Sequence, residues 1–286
     1  MDMKLSIVIS TLGRVAQLQD LLVSIARFCA DVKLEVLIVD QNAEDLLKPL
    51  TGRSWPFPLV RYCVPFKGLS KARNYGVDRA KGEYVIFADD DMEMLSGGIE
   101  RAIEVLDARP DLIAVSGKMV NRQGKPVVAK WSDSAAELSY KRFYGFFVEA
   151  CLLFRRVVFD RFRFDERLGV GCYHGAEEGA DLIYRLLLEK CRLYYDPKIC
   201  FYHPEKTGDR GSEDVLRRVR SYARGYAGFC LANRLWSRLA WKIALCIGYS
   251  FAMAPVRPVE SRYYRAKGLG MIEGWWNWPP RPDGRV

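Results

Sequence analysis

The sequence predicts an α/β fold in which a mixed, mostly parallel sheet is flanked by helices and followed by a helical C-terminal extension. Two observations predict the sheet: short, continuously apolar runs typical of strands buried on both faces, and segments of helical periodicity between them. Strands separated by helices pair in parallel through right-handed crossovers. A third observation, an uneven distribution of charge, sets the C-terminal segment apart.

The first 90 residues alternate between the two patterns. Strands are predicted at residues 5–9, 35–39, 59–64 and 84–87, and helices at 17–28 and 68–80. The third strand is the weakest of the four. Residues 45–58 contain three prolines and are predicted to be a loop or a broken helix.

The next 115 residues are less regular. A helix at 98–108 and a strand near 112–116 lead into a polar segment at 121–134 and an apolar stretch at 146–154. Residues 174–181 form an acidic, glycine-containing segment that opens a helix. Short strands are predicted at 192–195 and 199–203.

Composition narrows the class of protein. In a chain of 286 residues, 50% hydrophobic content excludes disorder, and eight cysteines without a CxxC pair indicate buried thiols in a reducing compartment. The N-terminal apolar run is too short for a secretory signal, so a cytoplasmic location is expected. Nearly all of the net charge of +9 lies in residues 205–286, which carry 15 basic and 7 acidic side chains. This excess predicts an anionic partner, either a membrane surface or a nucleic acid.

Polar side chains follow three of the predicted strands. Residues 10–14 follow the first, Asp40 the second and Asp89–Asp91 the fourth. Because the carboxyl ends of parallel strands share one edge of a sheet, these side chains are predicted to meet in one crevice. Adjacent carboxylates repel one another unless a cation neutralises them, and Asp89 with Asp91 suits Mg²⁺ or Mn²⁺.

No glycine-rich phosphate-binding fingerprint is present. A nucleotide would therefore be held by a metal ion and basic residues. The segment GLSKARN at 68–74 supplies such residues, because Ser70 is placed to cap a helix whose first turn contains Lys71 and Arg73.

Together these segments resemble the inverting glycosyltransferases of family 2, which have the Rossmann-like GT-A fold, and in particular the rhamnosyltransferase-like enzymes of bacterial surface polysaccharides. The matching segments are SIVISTLGR at 6–14, EVLIVDQN at 35–42, GLSKARNYG at 68–76, KGEYVIFADDD at 81–91, FDERLG at 164–169, GAEEGADLIYRLL at 175–187 and YYDPKICFYHP at 194–204. The resemblance covers about residues 4–205. It implies a catalytic domain at 1–205, with a nucleotide-binding half at about 1–115 and an acceptor half at about 116–205, and an extension at 206–286.

The resemblance also implies roles for individual residues. The donor nucleotide would be lined by Thr11, Arg14, Asp40, Arg73 and Asp89. Asp89 and Asp91 would form the family's Asp-x-Asp motif, with Asp91 the principal ligand of Mn²⁺ or Mg²⁺ and His203 completing the metal shell.

The catalytic base is implied to be one of the acidic residues that open the helix after residue 174. The family places an acidic pair one residue before Asp-Leu, whereas here two residues separate the pair from Asp181. Glu178 is the first choice, and Glu177 and Asp181 are alternatives. If these acidic residues have only a structural role, their negative charges stabilise the partial positive charge at the N-terminus of the helix.

The implied donor is a UDP- or dTDP-sugar, and the implied acceptor is a hydroxyl of a glycan or lipid-linked glycan at the inner face of the cell membrane.

Residues 214–245 are predicted to be helical and rich in Arg and aromatic side chains, and the longest uncharged stretch, 243–256, is too short to span a bilayer. Peripheral membrane contact is therefore predicted, the alternative being an ordinary helical pair packed on the domain. No nucleic-acid-binding motif is found.

Two other functions are alternatives to sugar transfer. The first is a catalytically silent GT-A module. The second is a sugar nucleotidyltransferase, which would need a longer loop after the first strand.

Overall fold

The computed structural model describes residues 3–205 and 208–279. The chain divides into two compact units. The first comprises residues 1–67, 72–163 and 183–206, and the second comprises residues 68–71, 164–182 and 207–286. The predicted division at residue 205 stays a prediction. Residues 164–182, which the sequence assigned to the first domain, group with the C-terminal helices.

The first unit contains the sheet, whose parallel half matches the predicted strands. Its elements are β1 (Leu5–Thr11), α1 (Val15–Phe28), β2 (Leu34–Asp40), α2 (Lys48–Thr51), β3 (Leu59–Cys63), α3 (Leu69–Val77, which begins in the second unit) and β4 (Tyr84–Asp89). Every residue of β1 and β2 is buried, as expected of strands covered on both faces. The loop with three prolines contains the short helix α2.

The second half of the sheet is mixed. Its strands are β5 (Glu93–Met94), β6 (Leu112–Val120), β7 (Ala136–Glu137), β8 (Leu152–Arg155) and β9 (Arg192–Tyr202). The helices between them in sequence are α4 (Gly98–Ala108) and α5 (Glu178–Leu188), and α5 begins in the second unit. The strand order over the described residues is β3-β2-β1-β4-β8-β6-β9-β5, with β7 paired to β9. Strand β8 runs antiparallel to β4 and β6, and β6 runs parallel to β9. The mixed, mostly parallel sheet is thus confirmed.

The prediction of two short strands at 192–195 and 199–203 is wrong, because β9 is one continuous strand. Its Asp196-Pro197 pair is accommodated in a bulge: Ser116 pairs with Tyr195, and Lys118 pairs with Cys200. Gly117 lies opposite the extra residues, and a Cβ atom there would come within 2.5 Å of the Ile199 carbonyl oxygen. A glycine therefore lets the bulge pack without breaking the strand.

The second unit contains three helices, α6 (Glu213–Ala232), α7 (Trp236–Met253) and α8 (Pro258–Trp276), rather than a pair. Helices α6 and α8 approach closely, because Cβ atoms on Gly270 and Gly274 would lie 2.4 and 2.7 Å from the carbonyl oxygens of Arg220 and Arg224. Both arginines donate hydrogen bonds to Glu273. Among the described residues, no helix is both long enough and apolar enough to cross a membrane.

The entry into β4 generates a test of stability. A Cβ atom on Gly82 would lie 2.4 Å from the backbone nitrogen of Ser6 in β1. Gly82→Ala should therefore lower the free energy of unfolding by about 1–3 kcal/mol and lower Tm by several degrees in a thermal denaturation. Gly248→Ala is the control, because a Cβ atom there would have no described atom within 4 Å apart from its chain neighbours and the nearby backbone of its own helix. Equal Tm values for the two variants would contradict the packing described.

Candidate functional site

The carboxyl ends of β1, β2 and β4 meet at one edge of the sheet. Thr11 pairs in register with Asp40, and Ser10 pairs with Asp89. Asp89 is the last residue of β4, so Asp90 and Asp91 stand in the turn that follows. The predicted convergence of polar side chains at this edge is therefore present in the first unit.

Asp90 ties the end of β4 to the loop after β1. Its carboxylate accepts hydrogen bonds from Thr11 Oγ1 at 2.7 Å and from Arg14 Nη1 at 3.0 Å. Burial raises the pKa of Asp90, and the bonds from Thr11 and Arg14 oppose that shift. Arg14 also donates to Asp91 Oδ2 at 2.6 Å, so one guanidinium bridges two adjacent carboxylates.

The structure brings Asp89, Asp91 and His203 together. One ligand atom from each lies within 4.8 Å of the other two, and His203 Nε2 is 3.4 Å from Asp91 Oδ1. The short strand β5 explains this proximity, because Glu93 pairs with Tyr202 and so holds the residues after β4 beside the end of β9.

The hydrogen bond at the other imidazole nitrogen assigns the tautomer of His203. Nδ1 lies 2.7 Å from the carbonyl oxygen of Pro204, which can only accept a hydrogen bond. Nδ1 therefore carries a proton, and Nε2 is the imidazole nitrogen that faces Asp91. Two carboxylates and an imidazole nitrogen form a donor set that fits a divalent metal ion.

Arg73 and Glu149 complete the acidic cluster. The buried guanidinium of Arg73 donates to Asp89 Oδ1 at 3.0 Å and to Glu149 Oε1 at 3.5 Å. Burial raises the pKa of Asp89, and the positive charge of Arg73 opposes that rise. The sequence-based reasoning missed Glu149. The available signal was that Glu149 is the only charged residue in the apolar stretch at 146–154.

Four carboxylates and two guanidinium groups are joined by these bonds. The carboxylates are Asp89, Asp90, Asp91 and Glu149, and the guanidinium groups are Arg14 and Arg73. Such a carboxylate-rich group suits the binding of a divalent cation.

Asp40 lies at the end of β2 and is completely buried. Its Oδ2 accepts from Arg61 Nε at 2.8 Å and Nη2 at 2.6 Å, and its Oδ1 accepts from the backbone and side-chain nitrogens of Asn42 at 2.9 and 2.6 Å. Asn42 Oδ1 in turn accepts from the backbone nitrogen of Gly13. Asp40 therefore orients Arg61 and Asn42. Sequence reasoning missed Arg61, which is a charged residue within the weakest predicted strand.

The candidate base residues lie in the second unit, at the N-terminus of α5. Glu178 is in the first turn and is 3% exposed. A Cβ atom on Gly169, whose φ is +109°, would lie 2.8 Å from Ser70 Oγ and 3.3 Å from Glu178 Cδ. Only glycine tolerates both that backbone angle and that proximity, so the turn at Gly169 packs directly on the Glu178 carboxyl group.

The two alternatives for the base have different surroundings. Glu177 has φ of 71°, an uncommon backbone conformation for a residue with a side chain, and such strain often accompanies functional sites. Asp181 is 1% exposed and accepts a hydrogen bond from Asn233 Nδ2 at 2.8 Å, which ties it to the end of α6. Asp181 thus contacts the residue that ends α6.

Known glycosyltransferases resemble this chain in sequence. The family model for glycosyl transferase family 2 matches residues 6–163. An uncharacterized glycosyltransferase of Bacillus subtilis, YwdF, is 31% identical over 163 residues, which cover 55% of this chain and 60% of that protein. A Campylobacter jejuni GalNAc(5)-diNAcBac-PP-undecaprenol beta-1,3-glucosyltransferase is 28% identical over 174 residues, covering 57% of this chain and 55% of the relative. The match therefore spans little more than half of these relatives.

Solved structures share the fold. S. aureus TarS 1–349 in complex with UDP-GlcNAc gives a TM-score of 0.58 at 18% identity, covering 99% of this chain and 95% of that one. Mannosyltransferase PcManGT from Pyrobaculum calidifontis, in complex with GDP-Man and Mn²⁺, gives 0.60 at 18% identity, covering 95% and 88%. With the family model matching more than half of the sequence and the sheet arranged as in these GT-A structures, the chain belongs to glycosyltransferase family 2.

Proposed function

We propose that this protein transfers a sugar from a nucleotide-diphosphate donor to a hydroxyl acceptor, with inversion at the anomeric carbon and with help from a divalent metal ion. The observation that carries the proposal is the proximity of Asp89, Asp91 and His203, whose ligand atoms lie within 4.8 Å of one another at the end of β4. Family membership supports sugar transfer, and the fold neighbours were solved with UDP-GlcNAc and with GDP-Man and Mn²⁺.

Asp91, Asp89 and His203 are the residues that would hold Mn²⁺ or Mg²⁺. When bound, the ion would neutralise the diphosphate that leaves with the nucleotide. Arg14 and Arg73 supply further positive charge toward the phosphates, and Thr11 and Asp90 fix the loop from which Arg14 extends. The chemistry of the donor set supports this assignment, because it combines two carboxylates with an imidazole nitrogen.

The nucleoside of a UDP or dTDP donor is proposed to lie beside Asp40. Because both oxygens of Asp40 already accept hydrogen bonds from Arg61 and Asn42, we assign Asp40 the role of holding these two side chains toward the base and ribose. Such buried, fully hydrogen-bonded carboxylates keep their neighbours in one geometry before the ligand arrives.

Glu178 is proposed as the general base. Inversion requires that a carboxylate accept the acceptor's hydroxyl proton as its oxygen attacks the anomeric carbon on the face opposite the leaving diphosphate. Glu178 lies in the first turn of α5, where the helix N-terminus carries partial positive charge. Glu177 remains an alternative, and the bond between Asp181 and Asn233 favours a structural role for Asp181.

The acceptor is proposed to be a glycan on a lipid carrier in the synthesis of cell-surface polysaccharide. The name of the Campylobacter relative describes an undecaprenol-linked acceptor, which supports this class. Residues 205–286 carry 15 basic and 7 acidic side chains, which favours peripheral contact with an anionic membrane at its cytoplasmic face.

Metal-dependent hydrolysis of the donor without an acceptor is the test of the metal site. Asp91→Asn should abolish the Mn²⁺-dependent release of nucleoside diphosphate, because it removes the proposed principal ligand. Asp20→Asn, which changes an exposed carboxylate of α1, is the matched control and should leave the rate unchanged. Wild-type hydrolysis that is indifferent to metal removal would contradict the proposal, and the absence of any turnover would favour a catalytically silent module.

The assignment of the base predicts a separation of kinetic constants. Glu178→Gln should lower kcat for transfer by about 10²–10⁴-fold while leaving KM for the donor nearly unchanged, because proton transfer is lost and donor binding is not. Glu189→Gln, just beyond the other end of α5, provides the control. Transfer at the wild-type rate by Glu178→Gln would move the assignment to Glu177.

The nucleotide specificity can be read from thermal shifts. UDP- or dTDP-sugars with Mn²⁺ should raise Tm, because a ligand present at about 100 times its Kd stabilises the folded state by about 2.7 kcal/mol. Arg61→Ala should weaken this shift, because it removes the side chain that Asp40 holds in place. If GDP-sugars alone stabilise the protein, the proposed donor class is wrong.

A further inference from the structure

Helix α7 has one packed side and one side open to solvent. Leu239, Cys246 and Ser250 are buried and share one face at helical spacing. The opposite face contains Trp241, which is 67% exposed, and Leu245, which is 46% exposed. Both side chains are thus open to solvent over a large part of their surface.

From Trp241 to the end of the helix, the exposed face is apolar. Ala244, Gly248 and Ala252 are exposed between the large side chains, Phe251 is 76% exposed at its margin, and Val256 is 74% exposed just beyond the helix. We call Trp241, Ala244, Leu245, Gly248, Phe251, Ala252 and Val256 the outer stripe. A surface helix of a soluble domain normally presents polar residues to water, so a contiguous apolar stripe marks an interaction surface.

Charge indicates what the outer stripe contacts. Helix α7 contains no acidic residue, whereas Arg238 and Lys242 lie near its start and exposed Arg257 follows its end. A second copy of this surface would bring like charges together. Anionic headgroups would neutralise the basic residues while acyl chains accept the apolar side chains, so the pattern is complementary to an anionic bilayer.

Length decides how the helix meets the bilayer. From Trp241 to Met253 the helix axis covers about 18 Å, which is well short of a hydrocarbon core of about 30 Å. Buried Ser250 and the packed face also exclude a lipid environment on all sides. The helix can therefore lie in the plane of the interface but cannot cross it.

We propose that α7 is a membrane-docking helix, which lies parallel to an anionic bilayer and inserts the outer stripe at the boundary between headgroups and acyl chains. Trp241 and Phe251 are the main inserted side chains, and Arg238, Lys242 and Arg257 contact the headgroups. The exposed side chains of Trp236 and Trp276 extend the aromatic surface along the second unit. This inference rests on the proposed function, because it identifies the residues that make the membrane contact proposed there.

Vesicle sedimentation with the full chain tests the proposal. Binding is expected to vesicles of phosphatidylcholine containing about 30 mol% phosphatidylglycerol and to be much weaker with phosphatidylcholine alone. The double variant Trp241→Glu/Phe251→Glu should lower the partition coefficient at least about tenfold, because carboxylates replace the two aromatic side chains that are proposed to insert into the bilayer. Val256→Glu should weaken binding, whereas Val157→Glu, which changes a valine that is 63% exposed in the first unit, should not.

Two outcomes would overturn the proposal. One is vesicle binding that is equal in the double variant and the wild type. The other is a change of oligomeric state in light scattering, with a dimeric wild type and a monomeric double variant that still binds vesicles. That result would make the outer stripe a self-association surface. Metal-dependent donor hydrolysis should be unchanged in the double variant. Loss of docking with hydrolysis retained therefore separates this inference from the proposed catalytic function.

Discussion

The repulsion among three consecutive carboxylates at the end of a buried strand is the constraint around which the first unit is organised. Asp89 is the last residue of β4, and Asp90 and Asp91 follow it in the turn. Each is stabilised differently: Asp90 by Thr11 and Arg14, Asp89 by Arg73, and Asp91 by Arg14 with His203 nearby. Among the residues joined by these bonds, carboxylates outnumber guanidinium groups, which supports the proposed cation site.

The topology of the sheet supplies these partners from distant parts of the sequence. Parallel pairing of β1 with β4 places the loop after β1 beside the acidic turn. The antiparallel pairing of β5 with β9 then places His203 beside Asp91, over a separation of more than 100 residues. The bulge opposite Gly117 keeps β9 continuous across Asp196 and Pro197, so the strand extends far enough to reach this edge.

Local patterns in the sequence predicted the parallel half of the sheet and the proximity of Thr11, Arg14 and Asp89–Asp91. This was possible because a buried strand is a run of consecutive apolar residues, and the polar residues at its end follow it directly in the sequence. The contributions of Glu149 and Arg61 were not predicted, because each depends on a pairing between segments far apart in the chain. The continuity of β9 was missed because a proline normally ends a strand, and its tolerance depends on a glycine in the neighbouring strand. The outer stripe of α7 could not be predicted either, because composition does not indicate which face of an apolar helix is packed.

The central claim is that the cluster at the end of β4 binds one divalent cation. Electron paramagnetic resonance of Mn²⁺ measures this directly, since free and bound ions give different signals and the bound fraction can be counted against protein concentration. We predict one bound ion per chain, with the affinity lost in Asp91→Ala and strongly reduced in His203→Ala. Full binding in Asp91→Ala, or the absence of bound Mn²⁺ in the wild type both with and without nucleoside diphosphate, would contradict the account.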